Sequence, residues 1–292
     1  MSQDILQRFL FDTAPVRGEM VRLTDTWQQV LARRKYPPVL ERLVGELMAA
    51  AALMTAMLKF EGSLIMQLHG KGLVKLIVIE CESDLTMRAT ARWDESVSEL
   101  PDLPLSELLG DGKFVITLDP KAEGQTYQGI VGLSGNSIAA LIEHYMETSE
   151  QLDTRLWLAC DGQSATGFML QKLPAGQGDP HGWEHLTTLA ETITPAELQS
   201  LEPRDLLYRL YHQEAVRVTL EEHPHFGCSC SREKVGNMIK MIGRDEADSI
   251  LAERGRIDVN CDFCNQHYEF DPVDIAQLFK TDSITIPTDT RH

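Results

Sequence analysis

Apolar residues recur along the chain with two periods, and the switches between them divide it into elements. After Pro37-Pro38, the residues Leu40, Leu43, Val44, Leu47, Met48, Ala51, Met54 and Leu58 keep the three- and four-residue spacing of one helical face, running to Lys59. Ala49 to Ala52 is apolar on every side, which predicts a buried central helix. A shorter helix is expected from Asp25 to near Lys35, where the prolines stop it. The period then drops to two. Ser63 to His69, Val74 to Cys81, Met87 to Trp93, Phe114 to Leu118 and Tyr127 to Gly132 read as strands, with a turn at Gly70-Lys71-Gly72. Ser137 is placed to cap a helix through Ser149, and strands return at Arg155 to Cys160 and Gly167 to Lys172. At the start, Leu6, Phe9, Leu10 and Phe11 suggest a short helix or strand, followed by a loop over Ala14 to Met20. Residues 1–172 therefore read as an α+β domain, with helices packed on a mostly antiparallel sheet.

The pattern changes over residues 173–227. Pro174-Ala175-Gly176-Gln177-Gly178-Asp179-Pro180 is a break, and short helical pieces follow. One spans Trp183 to Glu191, and a second opens with the capping box Thr194-Pro195-Ala196-Glu197. A third opens with Pro203 and carries Leu206, Leu207, Leu210 and Tyr211 on one side. Each is short for an isolated helix in water, so this linker should be marginal and depend on packing against its neighbours.

Residues 228–292 carry the chemistry. Cys228-Ser229-Cys230 and Cys261-Asp262-Phe263-Cys264 are two close cysteine pairs separated by thirty residues, the sequence form of a four-thiolate zinc site. A tetrahedral ion needs four ligands, and each short pair supplies two from one bend. Ser231 can cap a helix with Val235, Met238, Ile239 and Ile242 on one face and Gly243 at its end; a second helix fits Asp245 to Glu253. Ile257 and Val259 alternate into Cys261, and Tyr268 and Phe270 alternate away from Cys264, so the CxxC pair should sit at the turn of a hairpin. Asn265 tolerates the left-handed backbone such a turn requires, and Asp271-Pro272 caps a last helix through Phe279. His223, His225 and His267 lie close by, but four thiolates already complete the shell. So small a module has little apolar core, and a metal should supply much of its folding energy.

Length and charge narrow the classes. The 292 residues, 43% of them hydrophobic, leave room for one large and one small domain. A net charge of −17, with 12 acidic against 8 basic residues from Cys228 onward, disfavours nucleic acid as a partner. The start, Met1-Ser2-Gln3-Asp4, carries no signal-peptide pattern, and the twelve-residue apolar run Leu47 to Leu58 is too short to cross a bilayer. A cytoplasmic location is expected. In that compartment, clustered cysteines indicate metal or redox chemistry, while Cys81 and Cys160, single within strands, read as packed thiols. Gly132-Leu133-Ser134-Gly135 lacks the spacing of a nucleophile elbow, and Gly110-Asp111-Gly112-Lys113 lacks the frame of a phosphate loop. Nothing argues for an enzyme.

The motif Cys228-Ser229-Cys230-Ser231-Arg232-Glu233, its thirty-residue gap and Cys261-Asp262-Phe263-Cys264 resemble the redox-switch domain of the heat shock protein 33 family, redox-regulated chaperone holdases. Tyr127 to Leu133, Ser149-Glu150-Gln151-Leu152, Arg209-Leu210-Tyr211-His212 and Asp248 to Glu253 agree, so the likeness covers essentially the whole chain. Asn265 departs from the family, which usually has Gly there. The resemblance implies zinc held by Cys228, Cys230, Cys261 and Cys264 in a reduced, inactive form. It also implies disulfides Cys228–Cys230 and Cys261–Cys264 on activation, with zinc released. It further implies a linker that unfolds, unfolded client proteins as partners, a homodimer when activated, and no use of nucleotide. Two rival classes follow from the cysteines alone: a thiol-disulfide oxidoreductase, and a constitutive zinc-stapled interaction module.

Overall fold

The computed structural model describes residues 4–280 apart from 60, 98, 122–123, 175–178 and 180, and it separates into two compact units, one ending at Gly227 and the other beginning at Cys228. The first unit is built on two sheets. One has five strands in the order β10-β1-β2-β9-β8, formed by β1 (Ile5–Phe11), β2 (Val16–Leu23), β8 (Thr154–Cys160), β9 (Ala165–Lys172) and β10 (Val216–Glu222). The other has six in the order β11-β5-β4-β3-β6-β7, formed by β3 (Gly62–His69), β4 (Val74–Glu82), β5 (Thr86–Trp93), β6 (Lys113–Pro120), β7 (Tyr127–Gly132) and the two-residue β11 (His225–Phe226). All these ladders are antiparallel except that of β11 with β5.

Between the sheets lies α2 (Pro38–Met57), which packs on β2, β8 and β9 of one and β3, β4 and β5 of the other. A helix covered on two sides must be apolar all round, and Leu47 to Leu53 are without exposed surface. Before it, α1 (Asp25–Arg33) takes its cap from a distance: the buried Asp4 carboxylate accepts from the backbone N–H groups of Asp25 and Thr26, both at 2.8 Å. Ser137 Oγ accepts from Ala140 N at 3.2 Å and caps α4 (Ile138–Tyr145). The α-helix ends at Tyr145, and Met146–Glu150 continues as a π-helical turn that closes at the left-handed Gln151. The short helix α3 (Leu105–Leu109) buries Leu105, Leu108 and Leu109.

Two segments differ from the sequence reading. The stretch expected as a loop over Ala14 to Met20 is mostly strand β2, because Gly18 interrupts the apolar alternation for a tertiary reason: a Cβ there would overlap the Phe9 ring on β1. The segment after Tyr211 is not helical throughout; β10 pairs with β1 as an edge strand and is exposed over most of its length, so it has no buried face to mark it. The helices expected there are present as α5 (Gly182–Ala190), α6 (Pro195–Ser200) and α7 (Pro203–Tyr211), with the Thr194–Glu197 capping box formed in both directions. The break expected over Pro174 to Pro180 lies mostly outside the described residues. No helix of the described residues is long and apolar enough to cross a membrane.

The first unit has two apolar clusters. The larger surrounds α2, and the smaller joins Phe9, Phe11, Val16, Met20, Phe168 and Leu170 of the five-stranded sheet to Leu186, Leu198, Leu206 and Leu210 of α5, α6 and α7. These three helices are therefore the cover of one sheet face.

Within that sheet, on β2, Glu19 is 3% exposed, its Oε2 has no partner among the described residues, and Arg8 Nε stands 4.0 Å from its other oxygen. Burial outweighs the nearby Arg8 and Arg17 and raises its carboxyl from 4.5 to about 7. A raised acid pKa means that the folded chain holds the proton while the unfolded chain has lost it, so stability falls as pH rises from about 4.5 to 7. Glu19→Gln should flatten that slope and stabilise the first unit at pH 8 by up to about 3 kcal/mol, with no gain at pH 4.5. Denaturant melts at the two pH values check it; an equal effect at both would contradict the assignment.

Candidate metal centre

The second unit places all four sulfurs together. Its helix α8 (Arg232–Ile242) starts at Ser231, whose Oγ accepts from Lys234 N at 3.1 Å, and stops at Gly243 with φ of 93°. Val235 and Ile239 are buried, whereas Met238 and Ile242, expected on the same face, are each 48% exposed. α9 (Arg244–Arg254) follows, then the hairpin β12 (Ile257–Asn260) and β13 (His267–Phe270), and α10 (Pro272–Lys280). Asp271 caps α10, its Oδ1 accepting from Asp274 N at 2.7 Å.

Cys261 and Cys264 sit in the hairpin turn. Asn265 N donates to Cys261 O at 2.8 Å and Cys261 N to Gln266 O at 3.0 Å, with Asn265 in the left-handed region at φ 58°. Asn thus does here what the usual Gly does, and the departure at this position leaves the turn intact. Cys228 and Cys230 come from the extended segment before α8. Arg232 fixes that segment to the hairpin by donating to Glu269 O at 2.7 Å and Asp274 Oδ2 at 2.6 Å, with its guanidinium 4.3 Å from the Phe270 ring centroid.

The ligand atoms of the four cysteines all lie within 4.8 Å of one another, with Cys228 Sγ 3.7 Å from Cys261 Sγ and Cys230 Sγ 3.3 Å from Cys264 Sγ. A tetrahedron of thiolates about 2.3 Å from a central zinc has edges of about 3.8 Å. The Cys228–Cys261 separation of 3.7 Å lies at that edge and the Cys230–Cys264 separation of 3.3 Å below it, and four soft donors with no oxygen or nitrogen among them suit zinc. Burial raises the Cys261 thiol against the N–H groups of Cys264 and Phe263, and burial with its sulfur neighbours pushes Cys264 up to about 12. A cation must displace thiol protons, so its affinity should rise with pH. Tyr268, on β13 opposite Val259, adds a donor from outside the ligand set: its hydroxyl donates to Cys230 Sγ at 3.1 Å. That contact bridges the two cysteine pairs and depends on strand register, so only the alternation of Tyr268 with Phe270 hinted at it.

The histidines are engaged elsewhere. His223 Nδ1 lies 2.9 Å from Asp4 O, His225 Nε2 2.9 Å from Thr86 Oγ1 and His267 Nδ1 2.9 Å from Asn260 Oδ1. Asp258, His267 and Glu269 form a second cluster of ligand type, but it is exposed and Arg256 bridges its two carboxylates at 2.9 and 3.2 Å. Cys81 is buried, and burial pushes its thiol and that of Cys160 up to about 12, as for packed, unreactive thiols.

A family model described as Hsp33 protein matches residues 4–271. The chain belongs to the Hsp33 family. It is 51% identical over 291 residues to a 33 kDa chaperonin of Chromobacterium violaceum, covering 99% of this chain and 98% of the relative. It is 49% identical to a 33 kDa chaperonin of Methylobacillus flagellatus, covering 99% of each. In fold it is similar to the crystal structure of the 33 kDa chaperonin, heat shock protein 33 homolog, of Thermotoga maritima, with a TM-score of 0.81 at 22% identity over 96% of this chain and 99% of that one. Chaperonin, the name these relatives carry, describes a non-enzymatic role.

If the four cysteines form one shell, Cys228→Ser and Cys264→Ser should each weaken zinc binding at least tenfold at pH 7, and Cys81→Ser should leave it unchanged. Competition with a chromogenic chelator measures this, and equal affinity across the three variants would mean the ligands are misassigned.

Proposed function

We propose that this protein is a redox-regulated holdase that binds unfolding proteins, inactive when reduced and zinc-loaded, and activated when its cysteines oxidise. The observation that carries the reading is the four-sulfur cluster in a module whose apolar core is small. Cys228, Cys230, Cys261 and Cys264 would hold zinc as thiolates, and zinc would supply the link that fixes the hairpin to the segment before α8. In this proposal oxidation pairs Cys228 with Cys230 and Cys261 with Cys264, removes the donors, and costs binding worth roughly 10 to 16 kcal/mol in zinc peptides. The module then unfolds.

Residues 173–227 are the second part of the proposal, as a metastable linker between a core domain of residues 1–172 and a switch domain of residues 228–292. Its helices α5, α6 and α7 have nine, six and nine residues, too few for stability in isolation. What holds them is the cluster over Phe9, Phe11, Met20 and Phe168, together with Arg209, which donates to Thr192 Oγ1 at 2.8 Å and pairs with Glu197 at 2.6 Å. Opening of the linker would bare that sheet face and the apolar sides of the helices to clients. The activated protein would act as a homodimer in the cytoplasm, without nucleotide, nucleic acid or membrane.

A thiol-disulfide oxidoreductase is the second reading, and two observations weigh against it. Catalytic CxxC pairs open a helix, whose dipole lowers the thiol pKa. Cys261 and Cys264 lie in a hairpin turn, and both thiols are shifted upward. A constitutive zinc-stapled binding module would bind clients equally in both redox states.

Two measurements test the proposal. Reduced protein should suppress aggregation of a heat-unfolded test protein poorly, and peroxide-treated protein should suppress it well without ATP, as zinc leaves and four free thiols are lost. Equal activity in both states would leave only the stapled module. Trypsin should cut quickly at Arg204, Arg209 and Arg217 after peroxide with mild warming, and slowly in the reduced form. Equal protection in both forms after the zinc has left would make the linker a mere tether.

A further inference from the structure

Tyr268 has no place in the mechanism so far, although its oxygen touches a ligand. The Tyr268 hydroxyl donates to Cys230 Sγ at 3.1 Å, across 38 positions of sequence and between the two halves of the site. The donors to the other pair are of a different kind. Backbone N–H groups of Phe263 and Cys264 serve Cys261, and that of Gln266 serves Cys264, so they come with the turn itself. The phenol is a side-chain donor, and a substitution can remove it by one oxygen without altering the backbone.

A hydrogen bond to a metal-bound sulfur withdraws charge from it. Less charge means less nucleophilicity toward an oxidant, since nucleophilicity falls with the basicity of the sulfur. The same bond ties the CxC segment to β13. Partners of this kind change metal affinity by about 10- to 100-fold. We propose that Tyr268 is a positioning residue that acts as a brake on the redox switch, holding Cys230 as a well-placed and poorly nucleophilic ligand so that only strong oxidants release the metal.

The inference rests on the metal reading above and adds to it a residue outside the ligand set. The step it slows consumes two site sulfurs and one peroxide. A site sulfur attacks hydrogen peroxide, the O–O bond breaks, and the departing hydroxide takes a proton to become water. A second sulfur attacks the resulting sulfenic sulfur, the S–S bond forms, and a second hydroxide leaves as water with another proton. Two electrons pass from the sulfurs to peroxide, and the metal loses two donors.

The test uses the full-length chain, loaded with zinc for rates and with cobalt for spectroscopy. Tyr268→Phe should lower zinc affinity about tenfold at pH 7 and speed peroxide-driven zinc release several-fold. Its thiolate-to-cobalt charge-transfer band should move to lower energy, because the sulfur electrons are no longer held by the phenol proton. Incorporation of 3-fluorotyrosine, whose more acidic phenol is a stronger donor, should shift band and rate the opposite way and keeps the test open if the Phe variant folds poorly. Val259→Ala removes the residue facing Tyr268 across the hairpin but keeps the phenol. It should loosen the hairpin with the band unmoved. The proposal is overturned if Tyr268→Phe matches wild type in band and release rate, or if Val259→Ala moves the band as far. A wild-type chain that bound neither zinc nor cobalt would overturn the metal reading itself, and this inference with it.

Discussion

Four sulfurs within one coordination distance are the constraint on which the second unit depends. Its buried apolar residues are Val235, Ile239, Ala247, Ile257, Phe270 and Ile275, a core too small to order two helices, a hairpin and a further helix by itself. The links across the site are polar and few: Arg232 to Glu269 and Asp274, and Tyr268 to Cys230. The four sulfurs meet at the same place, where the segment before α8 approaches the hairpin. A module built in this way converts ligand chemistry directly into folding energy.

The first unit follows the opposite plan. α2 is apolar on every side and fills the space between two sheets, so its stability comes from area and needs no single contact. Its weaker part is the cover formed by α5, α6 and α7. Their buried residues lie on one side only, against aromatic side chains from the five-stranded sheet; Phe11 and Tyr211 meet edge to face at 4.9 Å. A helix held by one face has less to keep it in place than one buried on two, and here such helices lie over Phe9, Phe11 and Phe168.

The four-cysteine cluster was legible because close cysteine pairs are a local signal, and so were the caps at Ser137, Thr194 and Ser231, where each side-chain oxygen accepts from an N–H three residues on. Contacts set by distant residues were not. Gly18 looks like a loop residue until the Phe9 ring beside it is known, and β10, although Val216 to Glu221 alternate, buries neither side and was passed over in a segment read as helical pieces. The helix face of α8 was half right: Val235 and Ile239 meet the core, but the module is too small to reach Met238 and Ile242. The Tyr268 hydroxyl falls in the same class, since a register between two strands put it on a sulfur.

The geometry also bears on why oxidation and metal binding should exclude one another. A disulfide brings two sulfurs to about 2.05 Å, whereas the ligand arrangement holds Cys230 and Cys264 at 3.3 Å and Cys228 and Cys261 at 3.7 Å. Joining either of these pairs would shorten its separation by more than an ångström and turn two donors into one neutral bond. Neither pairing satisfies the ion and the disulfide at once. The hairpin turn and the segment before α8 have one arrangement that keeps four sulfurs in a shell, and each oxidation step moves the chain away from it. Four cysteines gathered in a weakly cored module could hold a metal ion, and joining any two of them as a disulfide would take two sulfurs out of that set.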